Sequence, residues 1–134
     1  MRTVEASTFV PASAVRVARF LTPETVVEAE GTFAVIDVAG DPPVVTGRAS
    51  GMTATFAFEE RSDGYEYAQR GSAGPFETME TTLTWAGRDD GTTVTARSSV
   101  SLGLPLAALT DRVAAWKRRG ELRRLLGRVE EEFE

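Results

Sequence analysis

Met52-Thr53-Ala54-Thr55-Phe56-Ala57-Phe58-Glu59 places Met52, Ala54, Phe56 and Phe58 on alternate positions, and the run stops at Ser62-Asp63-Gly64. Tyr65-Glu66-Tyr67-Ala68-Gln69 resumes the alternation beyond that turn. A side-chain period of two marks a strand with one face buried. A short polar link ending in glycine joins two such strands as a hairpin, because glycine takes positive φ at no steric cost. The centre of the chain therefore reads as antiparallel sheet with one wet face.

The same period extends both ways. After the glycine-rich link Gly71-Ser72-Ala73-Gly74-Pro75, residues 77–85 put Met79, Thr81, Leu83 and Trp85 on one side. Arg88-Asp89-Asp90-Gly91 is a second hairpin turn, and Val94, Ala96, Ser98, Val100 and Leu102 alternate after it. Upstream lie strands over residues 44–49 and 32–38, separated by Gly40-Asp41-Pro42-Pro43. Thr22-Pro23-Glu24 is a helix start, with Thr22 as N-cap and Pro23 at the first helical position. Pro11-Ala12-Ser13-Ala14 opens an earlier short helix, whose inner side is expected at Val15, Ala18 and Phe20 or Leu21. Val4, Ala6, Thr8 and Val10 share one face of a first strand over residues 2–10. The predicted class is α+β, a single domain over residues 1–134.

The buried sheet face needs a cover, and the predicted helix over residues 105–133 is the candidate. Leu109, Val113 and Trp116 lie three and four apart on one stripe. Beyond Gly120 the large apolar residues are Leu122, Leu125, Leu126, Val129 and Phe133, roughly opposite that stripe at about 100° per residue. Either the helix bends at Gly120 or it runs straight with its first half sandwiched; the straight helix is expected. The second stripe is also a homodimer candidate through Leu126 and Phe133. The helix carries Arg112, Lys117, Arg118, Arg119, Arg123, Arg124 and Arg128, seven of fifteen basic residues. These read as an anion or acidic-lipid patch, or as a solvated face balanced by Glu121, Glu130, Glu131 and Glu132; the second is the simpler expectation.

Composition narrows the chemistry. With no cysteine, disulfides and thiolate chemistry are excluded; with no histidine, the side chain best suited to proton transfer near neutrality is missing. No cofactor or metal is expected. A net charge of −5 opposes nucleic-acid binding. No segment reads as a transmembrane helix or signal peptide, so a cytoplasmic location is expected.

The order strand, two short helices, six strands and long helix resembles the helix-grip fold of the START-like superfamily of lipid-transfer domains, plant allergens and polyketide cyclases. Phe9-Val10-Pro11-Ala12-Ser13-Ala14-Val15 and Leu21-Thr22-Pro23-Glu24 resemble the entry to and exit from its first helix. Tyr65-Glu66-Tyr67 and the segment from Gly74 to Met79 sit where that superfamily has central strands. The resemblance implies a curved antiparallel sheet of about seven strands around the last helix, with a small hydrophobic or amphipathic ligand held between them. On that fold, Phe56, Phe58, Tyr65, Tyr67 and Gln69 would line the pocket from one half of the sheet. Met79, Thr81, Leu83, Ser98 and Val100 would line it from the other, with Leu109, Val113 and Trp116 facing them. A packed core is the alternative. A cyclase- or hydratase-type enzyme would use Tyr67, Gln69 or an Asp/Arg pair, for which Asp37 and Arg97 are the available outliers; Glu66 and Glu80 fall on the wet face.

Overall fold

Arg2–Val10 forms β1, with Val4 and Val10 buried as its alternation requires. The computed structural model describes residues 1–71, 76–102 and 107–134, with side chains from residue 110 onward in the last stretch. Two capped helices follow. The Ser13 hydroxyl accepts from the Arg16 N–H (3.3 Å) to start α1, Ala14–Phe20. The Thr22 hydroxyl accepts from the Thr25 N–H (3.2 Å), with Pro23 first in α2, Pro23–Glu30. With α1 beginning at Ala14, Val17 and Leu21 turn inward, while Val15 is exposed, contrary to expectation. Gly31 ends α2 at φ 87°, a left-handed cap.

Six strands follow: β2 Ala34–Ala39, β3 Val44–Ala49, β4 Met52–Arg61, β5 Gly64–Arg70, β6 Thr78–Arg88 and β7 Gly91–Ser101. They form one seven-stranded antiparallel sheet in the order β1-β7-β6-β5-β4-β3-β2, so the first strand closes beside the last. β2 starts two residues later than predicted, because Phe33 turns into the core. Gly47 on β3 makes room for it: a Cβ there would lie 2.7 Å from the Phe33 Cβ. The freed ring meets Phe56 edge-on at 5.7 Å. A register shift between Val35 and Asp37 leaves Ile36 and Asp37 exposed.

The last helix, α3, runs unbroken over Ala107–Glu132 through Gly120, as the straight reading requires. It packs on β1, β7 and α2. Its rotation differs from expectation. Val113 and Trp116 face outward, 57% and 73% exposed. Asp111, Ala114, Ala115, Arg118 and Glu121 face inward, in line with Leu122, Leu125, Leu126, Val129 and Phe133. One helix packed on one sheet buries one stripe, and the larger apolar side chains of the second half set it. Leu109 lies outside the described side chains. Asp111 accepts from the Leu102 N–H and the Ser101 hydroxyl, both at 3.2 Å, and pairs with the Met1 ammonium. Leu126 and Phe133 are buried within the chain, Phe133 edge-on to Phe20 at 5.7 Å, so that stripe is not free for a second copy.

Candidate functional site

Sheet register aligns one row of side chains across the concave face. Phe58 pairs with Tyr67, Tyr67 with Thr81, and Thr81 with Ser98. Above this row lie Phe56 and Gln69, and below it Tyr65 and Leu83. Met79 and Val100 flank it on β6 and β7. All these residues are buried, as predicted. Phe58 stacks on Tyr67 with ring centres 4.5 Å apart and planes 8° from parallel, while Tyr65 meets both Phe58 and Trp85 edge-on at 5.5 Å.

Arg118 comes down from α3 onto this row and is 1% exposed. Its guanidinium forks onto Glu30 at the end of α2, Nη1 to Oε1 at 2.8 Å and Nη2 to Oε2 at 3.0 Å. Nη1 also reaches Glu121 Oε1 at 3.0 Å. Nη2 meets the Thr81 hydroxyl at 2.7 Å and the Tyr67 hydroxyl at 3.2 Å, and Nε meets the Ser98 hydroxyl at 2.9 Å. The Tyr67 hydroxyl donates to Glu30, and Glu121 accepts from Thr32 at the rim, with Lys117 at 3.7 Å. A guanidinium has five N–H donors, and here every one is engaged. Arg118 and Glu121 are thus interior groups, not members of a solvated charged face.

Burial works against the Arg118 charge, but Glu30 foremost overrides it and holds the pKa above the ordinary arginine value. Burial, with the Glu30 carboxylate next, pushes the Tyr67 hydroxyl well above its usual pKa of 10.0; burial and Glu60 also raise Tyr65. These are the only two tyrosines. Because the folded state favours their neutral form, their contribution to stability is full below about pH 10 and is lost as pH rises further. Phenolate absorbance is therefore expected to stay flat to about pH 10 and to appear together with unfolding. A phenolate signal below that pH in a chain with unchanged circular dichroism would refute the buried placement.

Gln69 is different. Its amide nitrogen donates to the backbone oxygens of Phe76 and Gly71, which fixes the amide orientation. Its Oε1 is buried and has no hydrogen-bond partner among the described residues. On the opposite face of the sheet lies an open groove of about 660 Å³, lined by Pro42, Glu59, Glu66, Arg70, Glu80 and Arg97 among others. Arg97 and Asp37 are both exposed, so neither is a buried catalytic outlier. Among the described residues no group of three or more acidic side chains is placed to hold a metal. Glu30, Arg118 and Glu121 were not singled out from the sequence as site residues, although the stripe Leu122–Leu125–Val129, continued backward by helical steps, lands on Arg118 and Asp111.

Solved structures share this fold. The XoxI protein of Bacillus cereus superposes with a TM-score of 0.77 at 12% identity, over 99% of this chain and 96% of that one. A START superfamily protein from Mycobacterium smegmatis gives 0.68 at 16% identity, over 96% and 97%. The fold is the START-like helix-grip fold. A third helix-grip match is the di-domain ARO/CYC BexL from the BE-7585A biosynthetic pathway, with a TM-score of 0.64 at 22% identity over 97% of this chain and 47% of that one. No protein-family model and no curated protein matches the sequence. No helix among the described residues is long and apolar enough to cross a membrane.

Proposed function

We propose that this chain binds a small hydrophobic or amphipathic molecule between the sheet and α3, with a hydroxyl or N–H of the ligand donating to Gln69. The observation that carries this reading is the unpartnered Gln69 Oε1. A buried acceptor without a donor costs about 1–3 kcal/mol, and native interiors rarely leave one unless water or a ligand fills the role. Its neighbours are suited to an apolar body: Phe56 lies across the register, and Phe58, Tyr67 and Met79 adjoin. Medium-chain fatty alcohols supply a test, followed by native mass spectrometry and by displacement of a fluorescent apolar probe. The expected result is one-to-one binding of the alcohol that weakens about tenfold in Gln69→Leu, the loss of one buried hydrogen bond. No binding of alcohol or probe, or equal affinity in Gln69→Leu, would overturn the reading.

A cyclase- or hydratase-type activity has one observation in its favour, the ionised groups buried beside Tyr67. Against it stands their saturation: Arg118 has no donor left for a substrate, and Tyr67 is held neutral with its hydroxyl donating to Glu30. Non-catalytic binding is the better-supported function.

A further inference from the structure

Between Arg112 and Arg128 the outward face of α3 combines exposed apolar tips with charge of one sign, and the exposed acids Glu130, Glu131 and Glu132 follow only in its last turn. Arg112, Arg119, Arg123, Arg124 and Arg128 are exposed and Lys117 is partly so, whereas Asp111 and Glu121, the only acids on this helix before Glu130, are turned into the core. Val113 and Trp116 stand among these cations. At about 100° per residue, Arg112, Trp116, Arg119 and Arg123 fall on one line along about 16 Å of helix. Arg112, Arg119 and Arg123 make no ion pair among the described residues. In a chain of net charge −5 this segregation is strong.

We propose that this face is a docking surface for an anionic lipid membrane, with Trp116 and Val113 entering the headgroup layer and Arg112, Arg119 and Arg123 meeting lipid phosphates. The inference stands independently of any ligand between the sheet and α3.

Three features select this occupant. The apolar pair protrudes from a convex helix and does not line the groove on the far face of the sheet, which suits a deformable surface better than a structured groove. Tryptophan beside arginine is the side-chain pairing of a membrane interface, where the indole sits at headgroup level. A second copy packed face to face would set these cations against their own kind. A nucleic acid would satisfy the arginines but leave Val113 without a role. Although the whole chain is acidic, screening confines the relevant field to about 10 Å, so a lipid surface at α3 meets mainly the cations.

The test is flotation of the full chain with phosphatidylcholine vesicles containing about a third phosphatidylglycerol, set against pure phosphatidylcholine. Binding is expected only with the anionic lipid, together with a blue shift of tryptophan emission that Trp116→Ala abolishes. Raising salt from about 0.05 M to about 0.5 M should release the protein. The triple change Arg112→Gln, Arg119→Gln and Arg123→Gln should weaken binding about a hundredfold, at about fivefold for each arginine. These positions are exposed, so the thermal unfolding midpoint should not move and the loss cannot be ascribed to misfolding. Absence of binding to anionic vesicles at low salt, or binding indifferent to Trp116→Ala and to the triple change, would overturn the proposal. So would equal retention by a DNA duplex irrespective of Trp116, or a dimer in light scattering that Trp116→Ala dissolves. Gln69→Leu should leave vesicle binding intact, which separates this result from the ligand reading.

Discussion

Arg118→Met is expected to lower the free energy of unfolding by about 3–5 kcal/mol, read from the urea midpoint. The substitution leaves Glu30 buried without a cation, Glu121 with only Lys117 at the rim, and the Tyr67, Thr81 and Ser98 hydroxyls without the donor they share. Against a total of about 5–15 kcal/mol for a chain of this size, that is a fifth or more of the stability. Arg119→Met, one residue along but exposed, is the control and should stay within about 0.5 kcal/mol. Equal effects at the two positions would refute the placement of Arg118.

The sign changes if the partners go too. A variant carrying Arg118→Met, Glu30→Gln and Glu121→Gln removes every buried ion of the cluster, leaving only Lys117 at the rim, and should recover much of the loss, because a buried charge set often gains little over neutral packing while a broken one costs heavily. The cluster then contributes mainly to register. Arg118 fits the row Tyr67–Thr81–Ser98 only when α3 has its present rotation, and the same rotation turns Trp116 and Val113 outward.

This rotation marks the limit of what the sequence discloses. Period-two alternation and two polar turns suffice for β4 to β7, and the residues expected on the inner face of the sheet, from Phe56 to Val100, are all buried. Capping chemistry at Thr22 and Pro23 suffices for α2. The helix defeats the same reasoning because hydrophobicity is a proxy for burial, and here it fails in both directions. Arg118 and Glu121 are buried because partners from α2 and the sheet, distant in sequence, satisfy them; Trp116 is exposed although it is among the most apolar side chains of the helix. Only the longer stripe from Leu122 to Phe133, continued through Gly120, carries the correct phase. The start of β2 escapes the pattern for a related reason: Phe33 leaves the strand to fill the space that Gly47 provides, a tertiary contact with no local signature.

Phe58→Ala should cost about 3–5 kcal/mol, the range for emptying a fully buried phenylalanine. Phe58 is 1% exposed, stacked on Tyr67 and edge-on to Tyr65, so the deletion forfeits two ring contacts as well as the apolar area. Tyr67 is held from behind by Glu30 and Arg118 and has little freedom to collapse into the space, which places the loss toward the upper end of the range. The void would be walled by rings and aliphatic side chains. A small apolar guest such as benzene should therefore raise the unfolding midpoint of Phe58→Ala by more than it raises that of the parent chain, since a guest stabilises only the state that binds it and the variant offers the added void. A midpoint insensitive to benzene would mean that the interior had collapsed. A loss under about 1 kcal/mol would mean that Phe58 is not packed as described. With both outcomes as expected, the aromatic row is a structural element in its own right, and a natural ligand would have to enter beside Gln69 without displacing the Phe58–Tyr67 stack.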